Sequence, residues 1–116
     1  MFVISSSPKK FIPESQKEIK NPLTFIVVPP KRKDVLKLQE LVLAAMGDKE
    51  IMAAVPISAI MNLYFESSVV GWENVVGEDN KALEFNEENF TMFNDVEILT
   101  ELYSFIKELA ESTEKN

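Results

Sequence analysis

The sequence predicts an α+β fold, predominantly helical, in which a small N-terminal antiparallel β-sheet packs against four or so helices within one domain spanning residues 1–116. Three observations carry this expectation. Short β-branched and aromatic runs fenced by prolines crowd residues 1–30. Apolar residues recur at helical spacing through residues 34–111. A chain of 116 residues, 46% of them hydrophobic and eight of them Phe, has the size of one ordinary domain, able to bury roughly two-thirds of its unfolded surface.

The strands come first. Phe2-Val3-Ile4 and Phe11-Ile12 are short β-prone pieces separated by Ser5-Ser6-Ser7-Pro8, and Leu23 to Val28 (LTFIVV) lies between Asn21-Pro22 and Pro29-Pro30. They are expected to form two or three antiparallel strands. So few strands are marginal in water unless something covers one face, so helices must pack on them. Asp34 caps or charge-complements the first helix, in which Val35, Leu38, Leu41, Val42 and Ala45 share a face and after which Gly47 supplies a stop. A second helix is expected from Asp48, with Ile51, Val55, Ile57, Ile60, Met61, Tyr64 and Phe65 on a broad apolar face and Pro56 kinking it or splitting off its first turn. That helix should run into the stretch VVGWENVVGEDN, Val69 to Asn80, and stop near Gly71 to Gly77. Asn86, followed by Glu87-Glu88, has the chemistry of a cap with two charges at the positive end of a short helix, Glu87 to Phe93. Asn94 with Glu97 has the spacing of a capping box for a last helix that carries Val96, Leu99, Leu102, Tyr103, Ile106, Leu109 and Ala110 on one face. The polar tail 112–116 is expected to fray.

Composition narrows function. The chain has neither Cys nor His, which removes thiolate nucleophiles, disulfides, the commonest general base and the commonest transition-metal ligands. An enzyme built from it would have to work with carboxylates, Lys, Tyr, Ser or Thr. Glu87 and Glu88, or Glu108 and Glu111, are pairs of the kind exposed helix faces ordinarily contain, and without burial they lack the split pKa values that acid–base catalysis needs. Glu78, Asp79, Asn80 and Glu84 offer oxygen ligands, but not at the spacing of a calcium loop, so an acidic turn between helices is the simpler reading. Gly71 and Gly77 lack the Lys-Ser/Thr of a phosphate-cradling loop. No catalytic residue, metal ligand or cofactor is therefore expected.

The formal net charge of −7 is unevenly spread: residues 1–60 carry nine Lys/Arg against six Asp/Glu, or +3, and residues 61–116 carry three against thirteen, or −10. An acidic second half repels phosphate backbones, and the single basic cluster, Lys31-Arg32-Lys33, reads as a solvated flank of a helix, so nucleic-acid binding is not expected. The longest apolar stretch, Ile51 to Phe65, is interrupted by Pro56, Ser58 and Asn62 and is too short to span a bilayer. With no segment resembling a targeting signal, the chain is expected to be soluble and intracellular, without a membrane partner.

The order of "FIPES" (11–15), "NPLTFIVVPPKRKD" (21–34) and "VVGWENVVGEDNKALEFNEENF" (69–90), followed by a closing amphipathic helix, resembles the small tail assembly chaperones of long-tailed bacteriophages. Gly71, Trp72, Val75, Glu78, Asp79, Phe85, Glu88 and Asn89 fit that family's signature in order. Asn80 stands where the family has the glycine of an Asp-Gly turn, and Leu83-Glu84 replaces a more proline-rich lead-in; Asn tolerates positive φ, so the turn survives the change. The resemblance implies a non-catalytic helper that binds the tape measure protein during tail morphogenesis, acts in the host bacterial cytoplasm and is absent from the mature virion. It also implies that a longer frameshifted product, where one is made, recruits tail-tube protein.

The residues are compatible with that role, since a small acidic domain can shield apolar helical stripes while its charge keeps the complex dispersed. The docking face expected from the apolar pattern comprises Met52, Ile60, Met61, Tyr64, Trp72, Met92, Leu102 and Ile106, shared with a partner or with a second copy of the chain. Met46, Met52, Met61 and Met92 suit it because methionine adapts to varied partners, although the same residues serve equally well as core filler. Trp72, flanked by four valines, reads as a core or interface plug. The alternative function is a small phage or prophage adaptor or regulatory binding protein.

Overall fold

A computed structural model describes residues 7–45 and 57–114. The β-branched run between the prolines becomes the central strand of a three-stranded antiparallel sheet in the order β1-β2-β3: β1 is Lys9–Phe11, β2 is Thr24–Val27 and β3 is Val69–Glu73. Phe11 pairs with Phe25 and Phe25 with Trp72, so one row of aromatic side chains crosses the whole sheet. On the opposite face the Lys10 ammonium reaches across β2 to Glu73 at 2.9 Å. Val27 pairs with Val69 but Ile26 with Gly71, which leaves Val70 as the extra residue of a β-bulge, 53% exposed. Gly71 lies directly opposite Ile26, whose Cγ1 would sit 3.4 Å from any Cβ added there.

Among the described residues four helices complete the α+β fold: α1 is Arg32–Ala45, α2 Ile57–Ser68, α3 Glu87–Thr91 and α4 Val96–Glu114. The core joins the sheet to α2 and α4. Leu23, Phe25, Val27, Phe65, Val69, Ile98, Leu102 and Ile106 are buried together, with Phe25, Val27, Leu102 and Ile106 wholly removed from solvent. Full burial of side chains this size stabilises by about 1.5–3 kcal/mol each. The N-terminal segment is tied to α4 by "FIPES": Phe11 stacks on Phe105 with ring centroids 4.9 Å apart, Pro13 is buried, and the Glu14 N–H donates to Glu101 Oε1 at 3.1 Å. Glu14 also holds the exposed Lys17 ammonium at 2.8 Å, which keeps that amine above its ordinary range.

Several elements differ from the sequence reading. The helix through Phe65 does not continue into VVGWE; it ends at Ser68, and Val69–Glu73 is a strand. Two bonds from the segment after β2 fix this end. The Val28 N–H donates to the Ser68 carbonyl at 2.8 Å, and the Lys31 N–H donates to Ser67 Oγ at 2.6 Å. Beyond it, Val69-Val70 favour extended backbone and Gly71 weakens any helix, so pairing with β2 wins. The sheet therefore draws its third strand from the middle of the chain.

The first helix opens at Arg32, with Asp34 in its first turn as a charge complement to the dipole. The last helix is capped one residue later than the spacing suggests: Asp95 Oδ1 accepts from the Ile98 N–H at 3.1 Å. Its buried line is Ile98-Leu102-Ile106, and Val96 is 75% exposed because two residues turn a helix by about 200°. This helix also continues to Glu114, into the tail expected to fray, while α3 ends at Thr91 rather than Phe93. The strand expected at Phe2-Val3-Ile4, the stop at Gly47 and the helical residues from Asp48 through Pro56 lie outside the described residues.

Candidate functional site

The stretch from Val69 to Phe93 folds into a corner. β3 leaves the sheet at Asn74, whose φ of 63° turns the chain and whose Nδ2 donates to the Pro22 carbonyl at 2.8 Å. Residues 75–83 then form a small hairpin: Val76 bridges Ala82, the Leu83 N–H donates to the Val75 carbonyl at 2.8 Å, and the Gly77 N–H donates to the Lys81 carbonyl at 3.0 Å. Asn80 takes the left-handed conformation at its tip, with φ 64°, as its side chain permits. The acidic segment is thus a hairpin tip between a strand and a helix rather than a turn between two helices. Asp79 Oδ1 accepts from the Lys81 N–H at 3.1 Å, so this carboxylate serves the turn. Among the described residues no group of three or more Asp or Glu is placed to hold a metal ion.

Aromatic side chains bind the corner to the core. The Trp72 indole N–H donates to the Leu83 carbonyl at 2.8 Å, and its ring meets Phe85 edge-on at 5.2 Å. Phe90 is the hub: its ring lies 5.7 Å from Phe85, 5.7 Å from Phe65, 6.2 Å from Trp72 and 6.3 Å from Phe25. Such pairs add about 0.5–1.5 kcal/mol each beyond their area. Phe90 is held in place because α3 is well capped, Asn86 Oδ1 accepting from the Asn89 N–H at 2.7 Å as the sequence predicts, and Asn89 Nδ2 donating back to the Glu84 carbonyl at 2.7 Å. Trp72, half-buried and hydrogen-bonded at the hairpin, is thus a plug between this corner and the core.

Between α2 and α3 this corner leaves a half-open cleft of ≈ 390 Å³. Phe65, Val69, Phe85 and Phe90 form its apolar floor; Asn62 and Glu66 from α2, and Glu87 and Thr91 from α3, line its polar sides. On both helices the lining residues are spaced by three and four, so each presents one turn of one face. Among the described residues two carboxylates and no cation line this space. Such a surface can accept an apolar side chain and favours positive charge beside it.

The docking residues expected from sequence are dispersed. Leu102 and Ile106 are completely buried in one cluster with Phe25 and Val27 of the sheet and Phe65 of α2, so they offer a partner nothing. Ile60, Met61 and Tyr64 are half-buried along α2, Tyr64 with its ring against Tyr103 at 5.4 Å. Met92 is 62% exposed just past α3, and Met52 lies outside the described residues. The cleft's own residues, Phe65 with Glu66 and Phe85 with Glu87 and Phe90, were not among those expected. A signal existed in the spacing Asn62, Phe65, Glu66, Val69, but it became a wall only once Phe85 and Phe90 folded back beside it. No family model, curated protein or solved structure matches the chain.

Proposed function

We propose that this chain is a tail assembly chaperone of a long-tailed bacteriophage, binding the tape measure protein during tail morphogenesis by hydrophobic docking and performing no chemistry of its own. The observation that carries the reading is the run of signature residues from Gly71 to Asn89, together with the scaffolding they build: Trp72, Phe85 and the Asn86–Asn89 cap make a rigid corner that holds an apolar cleft open. A docking protein needs apolar surface that its own core does not consume, and Phe85 and Phe90 remain only half-buried at that cleft. The net charge of −7 would keep a complex with an aggregation-prone helical client dispersed. In this reading the protein works in the host bacterial cytoplasm and is absent from the finished particle, and tail-tube protein is reached through a longer product where one exists.

Co-expression with a tape measure protein, whose reading frame this proposal expects next to that of this chain, tests the reading. The expected result is a soluble complex that co-purifies, with the tape measure protein aggregating when expressed alone. Failure of the two to associate, or co-purification of nucleic acid in their place, would overturn it in favour of a regulatory binding protein.

A further inference from the structure

We infer that the cleft between α2 and α3 receives an apolar side chain from a basic amphipathic segment, with Lys or Arg on either side of that anchor paired to Glu66 and Glu87. The inference takes its general setting from the docking reading above and its location from the cleft's own chemistry. The floor of Phe65, Val69, Phe85 and Phe90 has the aromatic and aliphatic character that anchors a single Leu, Met or Phe. The sides then decide the sign of the partner. Glu66 and Glu87 are both exposed carboxylates, one on each helix, and they lie in the half of the chain that carries −10. An acidic segment would bring like charges together on both sides of the anchor, whereas a basic one converts the same positions into attraction. Because the two walls are helix faces one turn long, the fitting geometry is an elongated segment laid between them.

The chain carries its own reporter. Trp72 is its only tryptophan, and it touches both Phe85 and Phe90 on the cleft floor, at 5.2 and 6.2 Å. The experiment titrates the full chain with a synthetic amphipathic helix of leucine and lysine, and with the same helix carrying glutamate for lysine, following Trp72 fluorescence at low and at moderate salt. The leucine–lysine helix is expected to give a saturable change that weakens with salt, and the leucine–glutamate helix none. Glu66→Lys combined with Glu87→Lys should weaken binding by about tenfold or more without altering the circular dichroism spectrum, since both side chains are exposed. Glu97→Lys with Glu108→Lys makes the same charge change on exposed positions of α4 outside the cleft and should bind like the parent.

Equal binding of the two helices, or an equal loss in the two double variants, would overturn the cleft assignment. The same variants separate this inference from the function proposed above. Tape measure protein that binds the parent and the Glu66/Glu87 variant alike leaves the chaperone and removes the cleft. A leucine–lysine helix that depends on Glu66 and Glu87, in a chain that ignores the tape measure protein, leaves the cleft and removes the chaperone.

Discussion

Helices α4 and α1 carry similar amphipathic patterns but occupy different places in the energetics of the fold. α4 sinks Ile98, Leu102 and Ile106 into the sheet, each less than a tenth exposed. In α1 none of the described side chains is buried; Val35 and Leu38 rest half-covered near Leu63 and Tyr64 of α2, and Leu36 is 42% exposed. Spacing of three and four says that a helix has an apolar face, and what that face meets decides what the face is worth. Phe25 and Val27 of the sheet share one buried cluster with the α4 residues, while among the described residues α2 gives α1 a shallower seat.

The largest effect expected from this comparison is at Leu102. Leu102→Ala should destabilise by about 3–4 kcal/mol, as a leucine-to-alanine change in a site that cannot collapse does. Leu38→Ala should cost about 1 kcal/mol or less, because the residue is partly hydrated already and alanine is the better helix former. Urea denaturation of the two variants checks the contrast, and equal losses would break it by making α1 as integral as α4.

A smaller effect sharpens where α4 begins. Asp95→Ala removes the side chain that accepts from the Ile98 N–H and should cost about 1 kcal/mol. Asn94→Ala, at the neighbouring exposed position, should stay within about 0.5 kcal/mol of the parent. Thermal unfolding of both variants distinguishes the two caps, and a greater loss at Asn94 would restore the start that the Asn94/Glu97 spacing suggests.

The smallest effect tests α2, the bridge between the two regions. Ser68 closes that helix with a fully buried hydroxyl that has no hydrogen-bond partner among the described residues. Ser68→Ala removes the unpaired group while keeping the backbone carbonyl that serves Val28, so stability should rise by up to about 1 kcal/mol. A loss of that size instead would mean that the hydroxyl has a partner in solution and that α2 is held on the sheet side more firmly than its packing indicates.

Residues whose role depends on near neighbours were legible from the sequence alone. LTFIVV between its prolines formed a strand and Asn86 capped α3, because each of these follows from side-chain sterics or hydrogen bonding over a few positions. Trp72 read as a plug for a similar reason, its valine-rich surroundings. The absence of imidazole and thiol was fixed by composition and needs no fold to interpret. Tertiary structure alone decided three other matters: that VVGWE would leave the helical register to pair with β2, that the Ile98 line and not Val96 would face the core, and that Phe65, Phe85 and Phe90 would meet at a cleft. These depend on partners dozens of residues away: Val69, Val70 and Gly71 disfavour a helix locally, but a lone extended segment has no ladder until β2 is there to pair with it. Strand pairing and helix orientation are settled by whichever arrangement buries the most apolar surface at once, a property of the assembled chain that no short window contains.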